Sequence, residues 1–228
     1  MTDPRILRLA VVSAGVSDPS STGLLADRAS ERFVALAAET GDRVVVDRVE
    51  LKGVLPELPA ALGSQLLGPR LTAVAEILAA ADAVVVATPV YKAGPSALLT
   101  GVLQVLDDDV LVGTPVLLAA TAGTPRHALV IDDQLRGLFA YLRAATTPTG
   151  LFASGDDWQD PALAGRVDRA ARELLALARS EVREAMRGAA GRGAGYASRF
   201  GSAANGVAVD LDSDLMRLAT GGALPPRG

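Results

Sequence analysis

Two short stretches, Ala83–Thr88 (AVVVAT) and Pro115–Thr121 (PVLLAAT), have almost no polar residues on either of the faces that alternate along a strand. A strand without a polar face must be covered on both sides, and this is the mark of a parallel sheet between two helical layers. Leu7–Ser13 (LRLAVVS) and Arg43–Leu51 (RVVVDRVEL) read as two further strands, and Thr146–Ala153 as a weaker fifth. Between them lie segments with apolar residues at helical spacing: Leu24–Glu39, Leu71–Ala81, Ser96–Asp107, Leu129–Ala144 and a long Pro161–Arg187. Pro95 suits the first turn of the third of these, and Pro56–Pro69 reads as a loop. Strands alternating with helices give an α/β, doubly wound, five-stranded parallel sheet with helices on both faces, in the order 2-1-3-4-5.

The chain has 228 residues, enough for one full hydrophobic core. Residues 1–187 form the expected domain, followed by a 188–228 extension rich in Gly and Ala. Within that extension Gly188–Gly206 reads as a flexible linker, Val207–Thr220 as apolar enough to dock, and Pro225–Gly228 as a disordered end. Aromatic residues make up only 4% of the chain, so the core must be built from Ala, Val and Leu. The formal charge of -4 offers no footprint for nucleic acid or anionic lipid. With no Cys, disulfides, thiol catalysis and thiolate metal sites are excluded, and one His excludes a multi-histidine metal site. No signal-peptide pattern opens the chain and no apolar run is long enough to span a membrane, so a cytoplasmic location is expected.

In an open α/β sheet, ligands bind beyond the carboxyl ends of the strands, where the strand order reverses. Three loops should meet there. The first, Ser13–Gly23, carries five hydroxyl side chains (Ser13, Ser17, Ser20, Ser21, Thr22) and opens into a helix. Hydroxyls, loop N–H groups and a helix N-terminus can hold a phosphate without a cation. The loop lacks both the Gly-x-Gly-x-x-Gly fingerprint and the Gly-Lys-Ser/Thr ending, so a monophosphate suits it better than a dinucleotide or a triphosphate. A polar turn with an N-cap serine explains the same residues. The second loop, Thr88–Ser96, is stiffened by Pro89 and Pro95 and presents Tyr91 and Lys92. It could offer N–H groups to the edge of a flat ring, or be a plain strand-to-helix connection. The third, Thr121–His127, is small and polar, and Gly123 permits close approach of a planar ligand. His127 either meets that ligand or serves a structural role, the commoner fate of a lone histidine.

The run Ala87-Thr88-Pro89-Val90-Tyr91-Lys92-Ala93, with Ser96 and Leu99 following, resembles the signature of NAD(P)H-dependent FMN reductases. The resemblance extends to the hydroxyl-rich first loop before Leu24-Leu25 and to Ala119–Leu129, and spans roughly Leu7 to Ala178. It is similar to the reductase partners of two-component flavin monooxygenases, including the branch that serves luciferase-like monooxygenases.

The resemblance implies a flavodoxin-like fold and hydride transfer from NADPH or NADH to FMN, with reduced FMN passing to a partner monooxygenase. It implies that Ser13, Ser20, Ser21 and Thr22, with Ser17 added, hold the FMN phosphate. Pro89, Val90, Tyr91, Lys92 and Ala93 would line the ring, with backbone near Tyr91 and Lys92 supporting the flavin. Thr121, Ala122, Gly123 and Thr124, with His127 beside them, would close its other side. It also implies a homodimer or homotetramer. The alternatives are an FMN-containing quinone or azo reductase and a non-enzymatic electron carrier. No side chain is expected to act as a catalytic nucleophile, because the cofactors carry the chemistry. Arg126 could pair with a 2′-phosphate, but reads more simply as a solvated arginine.

The chain departs from the family at Thr100 and Gln104, where relatives often carry the Lys and Asp that support subunit contacts. It also departs at Asp133, which aligns with a Tyr in a helical bulge of some relatives.

Overall fold

A computed structural model describes residues 4–189 of the chain. Its strands are β1 (Ile6–Ser13), β2 (Arg43–Glu50), β3 (Ala83–Tyr91), β4 (Gly94–Pro95), β5 (Pro115–Thr121), β6 (Ala145–Thr146) and β7 (Leu151–Ala153). The helices are α1 (Ser21–Glu39), α2 (Leu58–Ser64), α3 (Pro69–Ala80), α4 (Ala97–Val105), α5 (Arg136–Tyr141), α6 (Pro161–Arg179) and α7 (Val182–Ala189). The sheet runs β2-β1-β3-β5-β6, with β7 also on β5 and β4 on β3. With β6 and β7 taken as one interrupted fifth strand, this is the expected 2-1-3-4-5 order. The short β4 is the exception to parallel pairing.

Alternation along the strands divides the core in two. Leu9, Val11, Val85, Ala87, Leu117 and Ala119 face α1 and α6, while Ala10, Val12, Val84, Val86, Leu118 and Ala120 face the layer of α2 to α5. Phe33 and Phe139 anchor the two sides, each fully buried. Burial of a side chain of this size stabilises by about 2–3 kcal/mol. Alanines in the central strands let the helices approach closely. β2, at the sheet edge, keeps Arg43, Asp47, Arg48 and Glu50 on the strand, where charges discourage further pairing.

Several sequence expectations are corrected. The stretch expected as a loop, Pro56–Pro69, contains α2, which buries Leu58 and Ala61 under α4. The third strand does not stop at Thr88 but runs to Tyr91 and turns back as β4. Pro95 therefore closes a hairpin, and Ser96 caps α4 by accepting from the Leu99 N–H at 3.3 Å.

The expected helix Leu129–Ala144 is a π-turn over Ile131–Leu135 continuing into α5, and Asp133 lies within that turn. The fifth strand is interrupted at Thr147–Gly150, where Pro148 has no N–H to pair and the Thr149 N–H and hydroxyl go to the Glu173 carboxylate. The long last helix breaks at Ser180, whose hydroxyl donates to the Leu177 carbonyl and accepts from the Val182 N–H. Gly188 and Ala189, assigned to the extension, end α7. The calls on the rest of the extension lie outside the described residues.

Candidate functional site

The register brings the strand ends level. Ser13 pairs with Ala87, Pro89 with Thr121, and Thr121 with Ala153. The segments that follow β1, β3, β5 and β7 therefore emerge side by side at the carboxyl edge.

The first loop leaves β1 tied to β3, with the Ala14 N–H on the Ala87 carbonyl at 2.9 Å. It then folds back on itself. Gly15 is buried, and a Cβ there would lie 2.0 Å from Ser20 Oγ. The buried Ser13 hydroxyl accepts from the Gly15 N–H at 3.3 Å, and Ser20 is the N-cap of α1, accepting from the Gly23 N–H at 3.0 Å. Thr22 is buried and shares a 2.7 Å hydrogen bond with the Thr121 hydroxyl, which joins the first loop to the third.

Three of the five hydroxyls are thus used in building the loop. Ser17 and Ser21 are exposed, line the cavity and make no side-chain hydrogen bond among the described residues. The N–H groups of Ser21 and Thr22, in the first turn of α1, have no acceptor within the helix. That turn carries no acidic residue of its own to offset its partial positive charge.

The second segment is a hairpin. Val90 pairs with Pro95 and Tyr91 with Gly94, and the two turn residues, Lys92 and Ala93, have φ of 50° and 65°. Two consecutive left-handed residues define the tight turn that usually takes Asn-Gly. Thr88, fully buried, fixes the base: its Oγ1 accepts from the Ser96 N–H at 3.0 Å and lies 3.1 Å from Ser96 Oγ. At the tip, the Gln134 side-chain amide donates to the Ala93 carbonyl at 2.7 Å.

In the third segment, the Ala122 N–H donates to the Ala153 carbonyl at 3.1 Å, and a Cβ added at Gly123 would meet nothing within 4 Å. A single 3₁₀ turn, Pro125–His127, follows.

These segments enclose a cavity of about 310 Å³ lined by Gly15, Val16, Ser17, Ser21, Thr22, Pro89, Val90, Tyr91, Thr121, Ala122, Gly123, Gly155 and Trp158. Nine expected residues share this wall. Ser13, Ser20, Lys92, Ala93, Thr124 and His127 are not part of it. Ser13 and Ser20 shape the loop from behind, Lys92 and Ala93 sit at the exposed hairpin tip, and Thr124 and His127 lie further along the third segment.

Gly155 and Trp158 come from the 3₁₀ turn Gly155–Gln159, after β7. The strand-end rule, applied to the fifth strand as well, would have found them. Trp158 is half-buried and packs toward the α1 and α6 side, with the Arg28 guanidinium 5.1 Å from its ring centroid. Its turn is held by Asp157, whose carboxylate accepts from the Ser154 N–H at 2.7 Å and the Ser154 hydroxyl at 2.8 Å. These bonds, backbone first, hold the Asp157 carboxyl below its usual range against the opposing effect of burial, with lesser help from the Arg166 guanidinium.

The family model of the NADPH-dependent FMN reductases matches residues 7–159, which includes every segment of the cavity wall. The chain belongs to this family. It is 39% identical over 162 residues to an FMN reductase (NADPH) of Pseudomonas aeruginosa, covering 70% of this chain and 82% of that one. It is 37% identical over 158 residues to an NADH-dependent FMN reductase of Pseudomonas fluorescens, covering 68% and 81%. A solved structure of an oxidoreductase from Corynebacterium diphtheriae superposes with a TM-score of 0.73 at 41% identity, covering 75% of this chain and 96% of that one. FMN reductases of this family are oxidoreductases. Among the described residues of this member, no helix is long and apolar enough to cross a membrane, and no cluster of His, Cys, Asp or Glu is placed to hold a metal ion.

Proposed function

We propose that the cavity at the carboxyl edge binds FMN for reduction by NADPH or NADH, and that reduced FMN leaves it for a flavin-dependent monooxygenase. The observation that carries the binding assignment is the start of α1. Among the described residues, two exposed hydroxyls without side-chain partners, Ser17 and Ser21, and two N–H groups without helical acceptors stand beside a cavity, at a helix whose first turn carries no acidic residue. That donor set fits a phosphoryl group. Pro89, Val90 and Tyr91 on one side and Ala122 and Gly123 on the other would hold the ring, and the open space in front of Gly123 admits a flat ligand.

With both cofactors bound, the nicotinamide supplies a hydride and the flavin accepts it. The protein's part is to orient the two rings and to exclude side reactions. Release to a partner is supported by the openness of the wall: Ser17, Ser21, Tyr91 and Gly123 are all exposed. The relatives' names divide between NADPH and NADH, so either donor is in scope.

Mixing protein, NADPH or NADH and FMN, and following nicotinamide absorbance, tests the activity. FMN-dependent oxidation is expected, and none with either donor would overturn the reading. A colourless preparation that consumes added FMN separates it from a quinone reductase that retains its flavin. A dimer or tetramer in solution is expected, with the apolar groove of Leu103, Leu138 and Tyr141 between α4 and α5 as the contact. A monomer by light scattering would overturn that.

A further inference from the structure

The hairpin tip next to the cavity wall is held from outside the hairpin. Lys92 and Ala93 both have positive φ, a region where a Cβ crowds the backbone and which glycine or asparagine normally fills. The turn therefore does not favour its own shape. Its hairpin is short, and Pro95 brings no N–H to the ladder. The Tyr91–Gly94 pair closes the turn and the Thr88–Ser96 bonds secure the base, but among the described residues no side chain of the hairpin itself bonds to the tip.

A side-chain restraint on the tip comes from 41 residues away, in the 2.7 Å hydrogen bond from Gln134 to the Ala93 carbonyl. Gln134 fits closely there, since a Cβ on Gly94 would lie 3.1 Å from its Oε1. It sits in the π-turn Ile131–Leu135. The extra residue of a π-turn rotates the positions around it relative to an uninterrupted α-helix, and such turns are frequent at functional sites. On its other side this turn is fixed by Arg136, which donates to Asp132 and to the carbonyls of Thr147 and Pro148. The π-turn is thus anchored to the sheet at one end and grips the hairpin at the other.

We propose that Gln134 is a positioning residue for the flavin ring: its hydrogen bond to Ala93 keeps the Tyr91–Gly94 turn left-handed, and so keeps Val90 and Tyr91 in the cavity wall. This rests on the reading that the cavity binds FMN. Gln134 itself touches no ligand in this scheme. Because the hairpin faces the ring and not the phosphate, loss of the bond weakens FMN and riboflavin alike.

The test is a flavin-fluorescence titration of the full chain and its variants with FMN and with riboflavin. Gln134→Ala and the isosteric Gln134→Glu, which sets a carboxylate against the carbonyl, should each raise Kd for both ligands by about tenfold, the effect of one hydrogen bond. The melting temperature should hold, because Gln134 is exposed. KM for FMN should rise with kcat at saturating FMN unchanged. Adding Ala93→Gly to Gln134→Ala should restore much of the affinity, because glycine takes this φ without a Cβ penalty. Unchanged Kd in both single variants, a loss confined to FMN, or no rescue by Ala93→Gly would each overturn the proposal. A wild-type chain that binds neither flavin would instead overturn the cavity assignment itself.

Discussion

The two edges of the sheet use their polar groups in opposite ways. At the amino edge they are tied to one another. Asp42, before β2, accepts from the Arg5 N–H at 3.0 Å and from the Arg179 guanidinium at 2.6 Å, while Arg5 donates to the Arg179 carbonyl. Asp82, before β3, accepts from the Arg8 N–H and from Arg183, and Arg183 also donates to the Ala79 carbonyl at the end of α3. Arg187 reaches the same carbonyl and that of Val112. At the carboxyl edge, Ser17 and Ser21 and the first N–H groups of α1 are left open beside a cavity. Hydrogen-bonding capacity engaged within the chain stabilises it, and capacity left open can serve a ligand.

Damage at the closed edge should therefore appear in stability. Asp42→Ala removes a carboxylate whose side chain is fully buried and takes from Arg179 the bond it makes there. Breaking a buried pair of this kind from one side costs about 3 kcal/mol. In a domain of this size that is roughly a 6–12 °C fall in melting temperature. The affinity of the surviving folded protein for FMN should stay within about twofold. A variant that melts normally but loses FMN would dissolve the distinction between the edges.

Damage at the open edge should appear in binding. Ser17→Ala and Ser21→Ala should each weaken FMN by about tenfold, the scale of a hydrogen bond to a charged group, with riboflavin affinity and melting temperature unchanged. Equal losses for FMN and riboflavin would move the phosphate elsewhere.

The glycines sharpen the contrast within the open edge. Gly15→Ala drives a Cβ into Ser20 Oγ and disturbs the N-cap of α1, so about 1 kcal/mol of stability should be lost. Gly123→Ala meets nothing within 4 Å, so its melting temperature should hold while FMN affinity falls several-fold. The smaller effect of Gly123→Ala is read from the titration alone.

How far the sequence discloses this molecule depends on the range of the interactions involved. The buried strands announce themselves because AVVVAT and PVLLAAT can be nothing but covered. The convergence of the three loops follows from strand order alone. What stays hidden is non-local. Thr22 reads as a phosphate ligand because nothing near it in the chain reveals Thr121 as its partner. The Lys92-Ala93 turn is unreadable because its residues oppose the conformation they adopt, and their restraint, Gln134, is distant in sequence. The π-turn is hidden for a similar reason: Leu129–Ala144 has ordinary helical spacing, and the fixings that shape it lie on β3–β4 and on the β6–β7 link. Trp158 is half legible, since a lone tryptophan before a helix suits both packing and a cavity wall, and here it serves both.

The smallest effect concerns the fourth segment, which belongs to the open edge but is built like the closed one. Asp157 ties its turn to Ser154 and Arg166, and Trp158 enters the cavity from that turn. The Ser154 bonds favour the charged carboxylate, so its folded pKa lies below the usual 3.8. A depressed carboxylate stabilises the fold above its unfolded pKa, and that contribution is lost as pH falls through the folded value. Wild type should therefore exceed Asp157→Asn in urea midpoint by a constant small margin from neutrality down to about pH 5, and the margin should shrink below it. A margin that does not change as the pH falls through this acid range would mean that the carboxylate is not held by these bonds. The turn that carries Trp158 would then be only loosely set, and the cavity would lose the one wall that resembles the amino edge.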